Sequence, residues 1–273
     1  MFVTQERNTH FRSAIGLMEL VYVSTVRHVR KNHRNAIIGL AMNMVQTVVF
    51  VAAFYLMFSV LGLRGSAIRG DFILYLLSGI FLFLTHTKAV GAIMGSEGPT
   101  SAMMKHAPMN TAIAILSAAL SSLYLQVLSA ALILFMVHVV WHPVVMDDPI
   151  GTIGMFLLAW FSGVAVGMVF LAMKPWLPEI AGILSTIYSR ANMIASGKMF
   201  VANSMPSSVL AFFDWNPLFH CIDQARGFAF INYNPHFSSI SYPLTVSIVL
   251  VMIGMMGEFY TRKHASVSWS AGR

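Results

Sequence analysis

Residues 35–63 read NAIIGLAMNMVQTVVFVAAFYLMFSVLGL. No Asp, Glu, Lys or Arg interrupts the run. A helix rises 1.5 Å per residue, so about 20 apolar residues cross a ~30 Å hydrocarbon core, and this stretch is longer. A helix on a soluble protein would present a charged face, and this one has none to offer. Residues 107–146, 149–173 and 227–257 are likewise free of charged side chains.

Composition leads the same way. Of 273 residues, 57% are hydrophobic and 10% charged, where soluble domains carry about 25% charged residues. The mean hydropathy is +0.72. The chain therefore reads as an all-α integral membrane protein with six transmembrane helices, at 36–61, 72–95, 111–140, 150–173, 180–201 and 241–261. The fifth encloses Arg190. No internal repeat, low-complexity tract or second soluble domain interrupts this order.

The net charge is +7, but the bases cluster at span ends, which points to membrane orientation and not to a nucleic-acid partner. With an even number of spans both termini share a side. That side collects Arg7, Arg12, Arg27, Arg30, Lys31, Arg34, Lys105, Lys174, Arg262, Lys263 and Arg273. The other side holds Arg64, Arg69, Lys198 and Arg226. The positive-inside rule places both termini in the cytoplasm. The start, MFVTQERNTHFRS, has no apolar core of a signal peptide. A lone cysteine, Cys221, leaves no internal disulfide framework.

Before the first span, Phe11, Ile15, Met18, Tyr22, Val26 and Val29 recur three and four residues apart. That spacing predicts an amphipathic helix in the cytoplasmic interface. The connector SEGPTSAMMKHAPMN, 96–110, is short and bounded by prolines, which suits docking on something below the membrane. Residues 203–240 are too apolar for a solvated loop and are punctuated by Pro206, Pro217 and Pro235. Two short helices that dip into the outer leaflet and return fit that pattern, since irregular backbone at membrane depth must be buried in protein or line a wet cavity.

Chemical motifs are sparse. No phosphate-binding loop is present; Ser196-Gly197-Lys198 echoes only its end. His138 and His142 have a zinc-compatible spacing, but no third ligand accompanies them, and no metal or cofactor is expected in this chain. Gly91…Gly95 and Gly163…Gly167 permit close helix approach. Of the two intramembrane cations, Lys88 is expected to snorkel to the cytoplasmic interface, leaving Arg190 as the pathway candidate.

At 215–227 the sequence is WNPLFHCIDQARG. With Trp215, Asn216, Pro217, His220, an acid at Asp223 and Arg226 three residues later, it resembles the permease subunits of ABC-2-type transporters, most closely those that export capsular polysaccharide. Pro178-Glu179 after the fourth span and the loop ending Lys105-His106-Ala107-Pro108 fall in the same order. One departure is span one, GLAMNMVQ, which lacks the aromatics and Pro often found there.

The resemblance implies a region 1–35 holding the interface helix, a transmembrane domain 36–262, a cytoplasmic tail 263–273, and a periplasmic re-entrant hairpin in which Asp223 and Arg226 face one another. It implies a homodimer in the bacterial inner membrane. Met103, Met104, Lys105, His106 and Pro108 would couple to a separate nucleotide-binding subunit, which holds ATP and Mg. The cargo would be a lipid-linked polysaccharide. Tyr55, Tyr124, Trp160, Tyr188 and Arg190 are path candidates, because sugars favour aromatic faces. The chain itself is then not an enzyme. Alternatives are another ABC-2 cargo (drug, haem or teichoic-acid-like polymer), an ion-coupled secondary transporter, or a membrane scaffold.

Overall fold

The computed structural model describes residues 10–31, 36–60, 68, 71–98, 110–141 and 143–264. Within them the chain is helical, with no strand: α1 (His10–Lys31), α2 (Ala36–Val60), α3 (Phe72–Met94), α4 (Thr111–Val140), α5 (Pro149–Met173), α6 (Pro178–Ala195), α7 (Ser207–Leu210), α8 (Pro217–Ala229) and α9 (Ser241–His264), with one 3-10 turn at Ala202–Ser204. Five helices, α2, α3, α4, α5 and α9, are long and apolar enough to cross a membrane. These correspond to five of the six expected spans.

Side chains set where several of them begin. Asp71 accepts from the Ile73 amide (2.9 Å), and Asp148 accepts from Ile150 and Gly151 (3.0 Å each), which satisfies amides that a helix start leaves unpaired. Pro149 and Pro217 occupy first-turn positions, where no amide is needed.

Helix α3 is the axis of the bundle. Of its most apolar 18-residue window, 83% is buried, against 17–56% for the corresponding windows of the other long helices. It packs against α5, α4, α8 and α2. The α3–α5 contact is close because Gly163 and Gly167 face it. A Cβ on Gly163 would lie 2.4 Å from the His86 carbonyl oxygen, and one on Gly167 would lie 2.8 Å from Ile93 Cβ. The second glycine pair behaves differently. A Cβ on Gly91 would meet nothing within 4 Å.

The segment expected to span 180–201 is the 18-residue helix α6. It stops at Ala195 because Gly197 adopts φ +74°, a left-handed conformation that glycine takes at no steric cost and that ends helices. Arg190 lies on its exposed face. Helix α1 packs on α4. Within the expected stripe, Ile15, Met18 and Tyr22 point outward, with Tyr22 70% exposed.

Candidate functional site

Between α6 and α9 the chain folds back on itself, and α8 is the buried arm of that fold. Its 13 residues span about 20 Å, too short to cross a bilayer. Leu218, Phe219, Cys221, Ile222 and Ala225 are fully enclosed against α5 and α3. Asn216 ties its start to the end of α6. The Oδ1 accepts from the Leu218 amide (3.0 Å), while Nδ2 donates to Asn192 Oδ1 (2.8 Å) and the Ala195 carbonyl (2.9 Å). His220 donates through Nε2 to the Asp214 carbonyl (2.5 Å) and accepts the Ser239 amide at Nδ1 (3.1 Å), which fixes its tautomer and clamps both flanks of the helix. Trp215 is exposed, and its carbonyl accepts from the Tyr242 hydroxyl (2.7 Å).

Asp223 and Arg226 form no ion pair with each other, which corrects the expectation drawn from their spacing. Arg226 is 1% exposed and donates from Nη1 to the carbonyls of Gly197 (3.0 Å) and Phe200 (2.6 Å) and from Nη2 to that of Lys198 (2.8 Å). Its guanidinium also lies 4.3 Å from the centre of the Tyr75 ring. The planar fork thus holds the turn that follows α6. Asp223, also buried, accepts from the Tyr233 hydroxyl and from Ser238 Oγ (2.7 Å), so it fastens the return segment instead. Burial first, and then the Asp223 charge, raise the Tyr233 phenol above its ordinary pKa. It therefore stays a hydrogen-bond donor.

Lys198, the residue that only echoed a phosphate loop, is enclosed by aromatics. Its Nζ has no hydrogen-bond partner and lies 3.3 Å from the Phe83 ring centre, 5.3 Å from that of Phe54 and 5.9 Å from that of Phe50. Gly79 makes room for this turn, since a Cβ there would lie 2.9 Å from Lys198 Cβ.

A second polar cluster joins α3, α5 and α6. Ser162 Oγ donates to the Ala159 carbonyl (2.8 Å), so His86 Nδ1–H points at Ser162 Oγ (2.9 Å) and Ala159 O (3.2 Å), and Nε2 accepts from the Tyr188 hydroxyl (2.8 Å). This assignment leaves every donor paired and the imidazole neutral.

A third feature is a cavity of about 700 Å³ between α2, α3 and α4, beside α1. Asn43, Gln46, Thr87, Lys88, Ser122 and Gln126 line it, and among the described residues no carboxylate does. Lys88, half-buried, points into this cavity. Its Nζ donates to Gln46 Oε1 (2.6 Å). Asn43 Nδ2 donates to Ser129 Oγ (2.8 Å), and Gln126 Nε2 donates to Asn43 Oδ1 (3.2 Å). The open space beside Gly91 belongs to this cavity. Sequence reading missed it, although Asn43, Gln46 and Gln126 are amides in otherwise apolar runs, which is a usable signal.

The path aromatics do not converge on it. Tyr124 is exposed, Tyr55 packs at a tilt against Phe72, Trp160 donates to the Ala119 carbonyl (3.1 Å), and Tyr188 serves His86. His138 accepts the Val144 amide at Nδ1 (3.1 Å), and His142 lies outside the described residues. Met103, Met104, Lys105, His106 and Pro108 also lie outside them. No family model matches the sequence, and no curated protein aligns with it significantly.

Proposed function

We propose that this chain is the membrane-spanning permease subunit of an ATP-driven ABC exporter of the ABC-2 type, moving a capsular or other cell-surface polysaccharide across a bacterial inner membrane. The observation that carries the reading is the enclosed α8, a helix too short to span, folded between α6 and α9 and opened by the Trp215-Asn216-Pro217 start. In this reading α6, about 27 Å long, is a sixth crossing, and α7–α8 is a re-entrant hairpin at the periplasmic mouth. Helix α1 lies in the cytoplasmic interface with Ile15, Met18 and Tyr22 toward lipid. The topology is self-consistent. The hairpin meets the start of α5, where the Asp148 amide donates to the Phe228 carbonyl (2.8 Å). At the opposite end Lys174 reaches the Met94 carbonyl (3.1 Å) and Trp176 reaches Thr261 (2.8 Å). That end is the more basic one and faces the cytoplasm.

Two copies would form the conduit. Two nucleotide-binding subunits, holding ATP and Mg, would dock on the 96–110 loop and push on it as they close. Purified alone, the chain should hydrolyse no ATP. With the ATPase encoded nearest its gene it should form a stable complex that does. Stoichiometric hydrolysis by the chain alone would overturn the reading.

One observation favours a second reading, an ion-coupled secondary transporter: His86 is a titratable group buried at a three-helix junction within the bundle. Transport by proteoliposomes of this chain alone, driven by a pH gradient and lost in His86→Gln, would select it.

A further inference from the structure

We infer that the cavity between α2, α3 and α4 is a binding site for a phosphate group, carried by an anionic membrane lipid that enters from the side. The inference rests on the membrane placement of the bundle and not on the export reading, and it holds whatever the cargo.

Three observations converge on it. The first is a charge without a counter-charge. The Lys88 ammonium carries three N–H donors, and its one hydrogen bond among the described residues goes to the neutral Gln46 amide. Among the described residues no carboxylate lines the cavity. An ammonium at membrane depth is costly unless an anion or water completes its shell, so a lysine with no carboxylate beside it among the described lining residues calls for an anion from outside the chain.

The second is the surrounding donor chemistry. Asn43 and Gln126 bring amides to the same walls, each with a second N–H to offer, while the Thr87 and Ser122 hydroxyls there donate to the Phe83 (2.6 Å) and Ala119 (2.7 Å) carbonyls. The Asn43–Ser129 and Gln126–Asn43 hydrogen bonds hold the amide pair in place. A phosphate offers several acceptor oxygens to such a set, and a singly charged lysine suits it as a point charge.

The third is the shape. About 700 Å³ is far more than one water needs and accommodates a phosphate with its glycerol. Met42 and Val45 line the same cavity yet are 55% exposed, so its lateral rim is apolar. A polar interior with a greasy lateral rim fits an amphiphile, its headgroup inside and its tails along α2. A free phosphate would have no use for that rim. Gly91 belongs to the lining and leaves the space open, since a Cβ there would meet nothing within 4 Å.

The test is lipid retention by the full chain. The protein is purified from nanodiscs containing phosphatidylcholine with phosphatidylglycerol, delipidated with mild detergent, and its bound lipid counted by native mass spectrometry. Wild type should keep phosphatidylglycerol over phosphatidylcholine by at least tenfold. Lys88→Met should lose that preference, and Lys88→Arg should keep it. Lys174→Met, at an exposed base outside the cavity, should match wild type. Adding millimolar inorganic phosphate separates the two sources. Persistence of bound phosphatidylglycerol assigns the site to a lipid headgroup, and full displacement assigns it to free phosphate.

If Lys88→Met folds, melting near wild type, and keeps the same lipid preference, the inference is wrong. Should Lys88→Met fail to fold, Gln126→Met replaces it as the probe. It shortens the donor set without touching the charge and should weaken retention severalfold, and undiminished retention there overturns the proposal equally.

Discussion

Replacing Arg226 by Met asks how much the segment between α6 and α9 depends on one guanidinium. Arg226 is 1% exposed and donates to three main-chain carbonyls, those of residues 197, 198 and 200. Methionine matches the length of the stem but leaves all three carbonyls without that donor in a dry environment. A hydrogen bond to a charged group contributes about 1.5–3 kcal/mol net, and stranding a buried partner costs a similar amount. Removal of the desolvated guanidinium offsets part of the loss, as does the apolar fit of Met beside Tyr75. The balance is a destabilisation of roughly 3–5 kcal/mol, the range for breaking a buried charged contact. For a chain of this size that lowers Tm by roughly 10 °C. Arg226→Lys keeps the charge but replaces a rigid fork with a point donor, so it should recover less than half the loss. The assay is thermal unfolding of nanodisc-embedded protein, read by aggregation-sensitive size-exclusion after heating. Arg226→Met melting within 2 °C of wild type would refute the claim that this side chain holds the turn after α6.

Further outcomes follow from the same contacts. Because Asp223 and Arg226 hold different segments, Asp223→Ala with Arg226→Ala should be at least as unstable as the worse single variant; rescue by the double variant would restore the direct ion pair the structure lacks. Gly163→Leu should abolish folded yield, since even a Cβ would lie 2.4 Å from the His86 carbonyl, whereas Gly91→Ala should express normally. Lys198→Met should fold and melt at or above wild type. Its unpartnered ammonium gains about 2 kcal/mol from the aromatic rings, less than the several kcal/mol that burying an ion costs. A large drop in Tm would mean the cage is a net stabiliser.

Much of the bundle was legible because charge-free runs and helix caps are local features. Ala36–Val60, Phe72–Met94 and Thr111–Val140 begin and end within a residue of the expected spans. The end of α6 was not, because apolar Met199, Phe200 and Val201 continue the pattern past a glycine whose positive φ only the tertiary fold imposes. The partners of Asp223 and Arg226 were misjudged for a related reason. Their i,i+3 spacing suggests a local pair, but Tyr233, Ser238 and the 197–200 carbonyls arrive from other segments and compete successfully. The amides in apolar runs hinted at a polar site, but not at this cavity, since Asn43, Lys88 and Gln126 stand on three helices and their meeting depends on the rotation of each about its axis. The expected coupling residues at 103–108 remain a matter for direct experiment.

That experiment also tests the central claim most directly. Cys221 is the chain's one cysteine; it is fully buried, and burial raises its thiol pKa, so it stays unreactive in the folded protein. A cysteine introduced as Met103→Cys can therefore be read without background. In intact cells it should resist a membrane-impermeant maleimide, and in inverted vesicles it should react and crosslink to the nucleotide-binding subunit in a manner that ATP alters. Labelling from the outside of intact cells, or crosslinking to no ATPase under any nucleotide condition, would contradict the account.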